Sequence, residues 1–177
     1  MSYPEISDPD FYKKIYKKKE FNDLKSTRPK RKGVYFELES HQLFAKRFVS
    51  PDTPYDRLLV FHATGTGKSC LAISVAENFA KDFNSKKQKF KILIVGNPAT
   101  RSAFEEAMTG KCTDSKYRSA RMRNSPYKFT GYQTLDKGIS SLSNTIVIID
   151  EVHNLTGEAK AYNKLLDLLN ISKNVKV

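Results

Sequence analysis

The string Phe61-His62-Ala63-Thr64-Gly65-Thr66-Gly67-Lys68-Ser69 constrains what this chain can fold into more than any other stretch. It follows the apolar run Leu58-Leu59-Val60-Phe61, which predicts a buried parallel strand, and it leads into a helix opening at Lys68. A strand, a glycine loop and a helix in that order wrap a phosphate chain. Glycines at 65 and 67 let the backbone approach closely and turn its N–H groups inward. The helix N-terminus adds a partial positive charge, Lys68 a full one between the terminal phosphates, and Ser69 a hydroxyl for Mg²⁺. Thr64, Gly65, Thr66, Gly67, Lys68 and Ser69 are therefore the expected ATP-binding residues.

A second motif lies 82 positions after the lysine, in Ile146-Val147-Ile148-Ile149-Asp150-Glu151-Val152-His153. Four consecutive β-branched residues predict a central strand covered on both faces, with Asp150 at its carboxyl end. Ligands bind at that end of open α/β sheets. Asp150 is placed to hold Mg²⁺ together with Ser69, and Glu151 to orient an attacking water, so that Lys68, Asp150 and Glu151 form the expected catalytic set. Either motif alone is common; the two in this order are specific.

Position 62 is His where the general loop pattern has Gly or Ala. What remains, TGTGKS with DEVH, resembles motifs I and II of superfamily 2 helicases of the DExH type. Three further pieces stand in the order that resemblance implies. Gln42, within Leu38-Glu39-Ser40-His41-Gln42, matches the Q motif, whose amide both donates to and accepts from an adenine edge. Ile92 to Pro98 looks like motif Ia, and Phe129-Thr130-Gly131-Tyr132 like the Ib region. Tyr35 and Phe36 are each available to stack on adenine or to pack in the core. From Phe36 to Glu77 the wording is most similar to the transcription-associated helicases and phosphohydrolases of large nucleocytoplasmic DNA viruses. That group includes the poxvirus early transcription factor small subunit and nucleoside triphosphate phosphohydrolase I. The resemblance implies a RecA-like P-loop NTPase domain, a parallel α/β sheet with helices on both faces. It also implies that His153 couples the nucleotide to a neighbouring domain, the alternative being a locally satisfied core histidine.

The formal charge of +12 is unevenly placed. Residues 1–33 hold ten Lys/Arg against five acids, residues 81–91 five against one and residues 111–128 six against one, while the rest holds ten against twelve. The nucleotide-binding framework is thus near neutral, and the basic segments are either solvated faces or contacts for a polyanion such as DNA or RNA. No apolar run approaches the roughly 20 residues of a membrane span, and the N-terminus has neither the basic nor the apolar region of a signal peptide. These features predict an intracellular chain, in virion or host cytoplasm if viral. Two cysteines cannot form a framework; Cys70 reads as a small buried thiol, which points to a reducing compartment.

Along the chain, Asp8-Pro9 predicts a capped amphipathic helix that docks through Phe11, Ile15 and Tyr16 on the domain or on a partner. Residues 25–33 read as a flexible joint, with a nuclear-targeting or RNA-binding patch as the alternative. The expected domains are a basic extension over 1–33 and the RecA-like domain over 34–177. Helices are expected at 37–49, 68 to about 83, 99–109 and 157–170, and strands at 58–62, 91–95, 128–131 and 145–149, with residues 110–128 a basic loop or lid. Asn174-Val175-Lys176-Val177 looks like the first half of the strand that leads into motif III. The chain is therefore expected to be the N-terminal piece of a longer protein with a second RecA-like domain, and to be weakly active by itself. Two functions follow: an ATP-hydrolysing motor on nucleic acid, in viral transcription and serving a viral RNA polymerase, or a nucleotide-dependent clamp or assembly subunit that unwinds nothing.

Overall fold

A computed structural model describes residues 2–25, 38–63, 65–109, 112, 126–135, 137–157 and 159–177. The β-branched run forms the expected strand, β3 (Thr145–Ile149), and its neighbours follow the pattern of a doubly covered sheet. On one side it pairs in parallel with β1 (Lys91–Val95), from Lys91 opposite Thr145 to Val95 opposite Ile149. β1 pairs in turn with β2 (Tyr127–Thr130), and the two-residue β4 (Val175–Lys176) pairs with Thr145 and Ile146. The order is β2-β1-β3-β4, all parallel.

Alternate residues of these strands feed two cores, because successive side chains point to opposite faces. Ile92, Ile94, Ile146 and Ile148 meet Ile73, Ala76, Phe79 and Phe83 of α4 (Lys68–Ser85) and Phe104 and Met108 of α5 (Pro98–Thr109). Leu93, Val95 and Val147 meet Leu135, Leu142 and the Ala161, Leu165 and Leu168 stripe of α6 (Ala159–Ile171). The chain is thus an α/β protein whose parallel sheet is covered on both faces, and every expected helix and strand between 68 and 109 and from 127 to 176 is present within a few residues.

The N-terminal region docks on the domain itself. α1 (Phe11–Lys17) and the short α2 (Lys19–Asn22) bury Ile15 and Phe21 in an aromatic cluster with Tyr55, Phe44 and Phe48, the last two on α3 (Ser40–Phe48). Burying each such side chain contributes about 2 kcal/mol. Tyr55 donates its hydroxyl hydrogen bond to the Pro4 carbonyl (2.7 Å), Tyr3 donates to Glu20 (2.6 Å), and Arg47 donates to the Glu20 carbonyl. α1 starts two residues later than Asp8-Pro9 predicts, because Asp8 accepts from the backbone N–H of Asp10 and makes a turn before the helix. The joint at 25–33 lies almost wholly outside the described residues, as do Tyr35, Phe36 and most of 110–128.

Two expectations are corrected. Leu58 to Phe61 are not a buried strand: Leu59 is 75% exposed and Phe61 96%. The N–H of Val177 donates to the Asp56 carbonyl (2.8 Å) and that of Leu58 to the Val177 carbonyl (2.9 Å), a single parallel rung, and residues 59–61 have no backbone ladder among the described residues. Strand propensity alone cannot bury a segment that lacks neighbours. Cys70 is not a free thiol either. It is joined to Cys112 by a disulfide with Cα atoms 5.0 Å apart, which ties the first turn of α4 to the chain beyond α5, so the inference of a reducing compartment loses its basis.

Candidate functional site

Because β1 and β3 run in parallel, the loops leaving their carboxyl ends lie at one edge of the sheet, and the glycine loop meets them there. Gly65 (φ +81°) and Gly67 (φ +79°) occupy the left-handed region, where a side chain is disfavoured. Gly67 is the residue before α4, and its carbonyl accepts from Leu71 to start the helix. A Cβ at position 67 would lie 2.6 Å from Gln42 Nε2, so any larger residue there would have to displace that amide as well as hold the left-handed backbone. Thr66 Oγ1 donates to the Ala63 carbonyl (2.8 Å), closing the loop on itself. Lys68 Nζ reaches the carbonyls of His62 (3.2 Å) and Ala63 (3.5 Å); among the described residues it has no carboxylate within ion-pair reach. Thr64 lies outside the described residues.

Gln42 is 4% exposed and sits directly beside the loop. Its Oε1 accepts from the Glu39 N–H (2.9 Å), capping α3, while its Nε2 donates to the carbonyls of Thr66 and Gly67 (3.2 Å each). The amide thus braces the loop, and an adenine edge would compete with these bonds for it. His62, which replaces the usual small residue, stands edge-on to His41 (centroids 5.0 Å apart), and its Nδ1 is buried with no hydrogen-bond partner among the described residues.

Lys68, Ser69, Asp150, Glu151 and His153 all line one cavity of about 510 Å³, whose remaining wall is largely apolar and includes Leu58, Phe61, Leu71, Phe104 and Ile148. The fit to Mg·ATP rests on this grouping. One carboxylate and one hydroxyl are the sparse protein donor set suited to Mg²⁺, which keeps water and phosphate ligands, and the glycine loop has the backbone form of a phosphate cradle. Among the described residues no three His, Cys, Asp or Glu side chains form a metal cluster of their own.

Asp150 is held from two sides that its motif does not reveal. Thr100 Oγ1 donates to Asp150 Oδ2 at 2.8 Å, and the Tyr132 hydroxyl donates to the Asp150 carbonyl and lies 3.3 Å from that of Glu151. Burial first, and then the Asp150 carboxylate, push the Tyr132 phenol above its ordinary value, so it stays a donor. Glu151 has φ +52°, a strained value for a residue with a side chain, of the kind that clusters at functional sites. Its side chain is 47% exposed and Oε2 lies 3.4 Å from His153 Nδ1. His153 is 72% exposed, which removes the reading of it as a core histidine. The sequence did not assign Thr100 or Tyr132 to Asp150: Tyr132 entered only as the end of the Phe129-Thr130-Gly131-Tyr132 stretch, and the signal for Thr100 was the Gly96-Asn97-Pro98 turn that sets it in the first turn of α5.

Comparison with known proteins gives the family. Residues 35–177 match the family described as type III restriction enzyme, res subunit. A provisionally named ATP-dependent RNA helicase of Acanthamoeba polyphaga mimivirus is 29% identical over 94% of this chain and 33% of its own length. A provisionally named helicase of Frog virus 3 is 32% identical over 65% of the chain and 14% of its own length. An early transcription factor large subunit homolog of African swine fever virus is 30% identical over 47% of the chain and 11% of its own length. The chain thus spans a third or less of these relatives, and no solved structure matches it. With the glycine loop, Asp150 and Glu151 gathered at one edge of a covered parallel sheet, the chain belongs to the helicase-type family of the type III restriction enzyme res subunit and carries its RecA-like fold.

Proposed function

We propose that this chain is the ATP-binding and hydrolysing domain of a superfamily 2, DExH-type motor that acts on nucleic acid. The observation that carries the reading is the convergence of Lys68, Ser69, Asp150 and Glu151 on one cavity at the carboxyl edge of the sheet. Mg²⁺ would be held by Asp150 and Ser69 and would neutralise charge on the phosphates. Lys68 would exchange its loop carbonyls for the β- and γ-phosphates, the Gly65–Gly67 backbone would cradle them, and Glu151 would orient water for in-line attack. Gln42 would serve the adenine or the loop, and His153, exposed beside Glu151, would relay the nucleotide state to a second RecA-like domain of the full-length protein. The early transcription factor named among the viral relatives supports a role in transcription; a viral RNA polymerase would then be the partner and the virion or host cytoplasm the location.

Residues 34–177 would form the motor domain, with 1–33 an extension anchored by its aromatic cluster. Nucleic acid, DNA or RNA, would be gripped through the phosphates by the basic segments. Lys81, in the last turns of α4 about 20 Å of helix rise from Lys68, and Lys86, Lys87, Lys89 and Lys91, which follow the helix and lead into β1, are all exposed, so any contact there lies away from the nucleotide edge. Among the described residues no helix is long and apolar enough to cross a membrane. The test is Mg·ATP titration of the parent, Lys68→Ala and Glu151→Gln. The first variant should lose about tenfold or more in affinity, since a charge-assisted contact is removed, while the second should keep its affinity and lose turnover in the full-length protein. Unchanged affinity in Lys68→Ala refutes the assignment of this loop. Nucleic-acid-stimulated turnover in the full-length protein separates a motor from a nucleotide-dependent clamp.

A further inference from the structure

We infer that Thr100 is the positioning residue for Asp150, fixing the carboxylate in the orientation its metal requires; this rests on the Mg·ATP reading of the cavity. Thr100 is 5% exposed, and a buried hydroxyl must find a partner. Its single proton has two acceptors in reach, Asp150 Oδ2 at 2.8 Å and Asn97 Oδ1 at 3.3 Å. The shorter contact, to an ionised oxygen, takes it, because charge-assisted hydrogen bonds are shorter and stronger than neutral ones. Oδ1 of Asp150 has no protein partner among the described residues.

Three independent features build this contact. Asn97 Oδ1 accepts from the Thr100 N–H (2.9 Å), a cap that fixes the first turn of α5 and so the direction of the Thr100 side chain. Gly96 makes room for it: a Cβ there would fall 2.6 to 2.8 Å from Thr100 Cγ2, Cβ and Oγ1, so a larger residue would drive the hydroxyl off the carboxylate. The backbone of the two turns is locked together as well, since the Asp150 N–H donates to the Val95 carbonyl (3.0 Å), one residue before Gly96. Sequence positions 96 to 100 thus form a bracket that aims a hydrogen bond at a carboxylate 50 residues away. Partners of metal-holding carboxylates work in this way: they add no ligand but set the rotamer, and losing one costs about 10- to 100-fold in metal affinity.

The experiment uses a fluorescent ATP analogue and the 177-residue chain, titrated in EDTA and at increasing Mg²⁺, for the parent, Thr100→Val and Thr100→Ser. In the parent, Mg²⁺ should strengthen nucleotide binding. Thr100→Val keeps shape and removes the proton, so the Mg²⁺ concentration for half-maximal enhancement should rise about 10- to 100-fold while metal-free affinity stays at the parent value. Thr100→Ser restores the donor and should return the Mg²⁺ response to within about twofold of the parent. Parent-like Mg²⁺ dependence in Thr100→Val overturns the inference. So does an equal loss with and without metal, or failure of Thr100→Ser to restore the response, since either marks a purely structural side chain. A parent that binds the analogue with no Mg²⁺ effect refutes the underlying reading of the cavity instead.

Discussion

Gly65 and Gly67 share a backbone conformation, φ +81° and +79°, but not their surroundings, and that difference yields a quantitative test of how the glycine loop is braced. A Cβ at position 65 would meet nothing within 4 Å, whereas one at position 67 would meet Gln42 Nε2 at 2.6 Å. Gly65→Ala should therefore carry only the left-handed backbone penalty, about 1–2 kcal/mol, less about 0.4–1 kcal/mol for the narrower unfolded ensemble. Gly67→Ala carries the same net penalty and also expels Gln42 from the Thr66 and Gly67 carbonyls, two hydrogen bonds at about 1 kcal/mol each. Urea unfolding followed by circular dichroism should place Gly67→Ala about 2 kcal/mol below Gly65→Ala, a midpoint difference of about 1 M at a slope of about 2 kcal/mol/M. In a Gln42→Ala background, where those bonds are already gone, the two glycine variants should converge, a coupling of about 2 kcal/mol. Equal destabilisation in the parent background, or an unchanged gap in the Gln42→Ala background, would refute the claim that Gln42 braces the loop.

Two further outcomes follow from the rest of the molecule. The Cys70–Cys112 disulfide closes a span of 42 residues, worth about 4 kcal/mol in the chain-entropy account; reduction, or Cys112→Ser, should lower stability by up to that amount in urea unfolding, and coincident curves with and without reductant would refute it. Burial first, and then its hydrogen bond to Glu20, push the Tyr3 phenol up to about 12. Its folded value lies above the ordinary value of about 10, so the stability it contributes is complete below pH 10 and lost as pH rises through about 12. Tyrosinate absorbance should lose one equivalent from that latest range in Tyr3→Phe, and an unaltered titration there would show that Tyr3 is not docked.

The elements whose physics is local were readable in advance. The apolar run at 91–95 and the β-branched run at 145–149 became strands, the segments expected as helices at 68 to about 83 and 157–170 became α4 and α6, and Asp150 lies just past the end of β3. What could not be read depends on partners far along the chain. Thr100 and Tyr132 act on Asp150 across 50 and 18 residues, and only the strand order β2-β1-β3 brings their turns to the same edge. The cysteine pair likewise exists because α4 and the end of α5 share a face of the sheet, which two cysteines 42 residues apart do not announce.

The sheet's register sets how far the segment leading into the glycine loop lies from β3. Val177 forms a rung with Asp56 and Leu58 on one side, and β4 forms its rungs with Thr145 and Ile146 on the other. The segment from 58 therefore runs two strand spacings, about 9.6 Å, from β3. Leu58 to His62 and Ile146 to Ile149 all line the cavity of about 510 Å³. Its lower wall is apolar because both flanking segments are strand-like in composition. Its upper rim is polar because each segment then turns into a motif: the loop with Lys68 and Ser69 on one side, Asp150 and Glu151 on the other. The glycine loop and Asp150 thus stand on segments about two strand spacings apart. On the proposed reading, that spacing would let the two motifs address one phosphate chain from opposite sides.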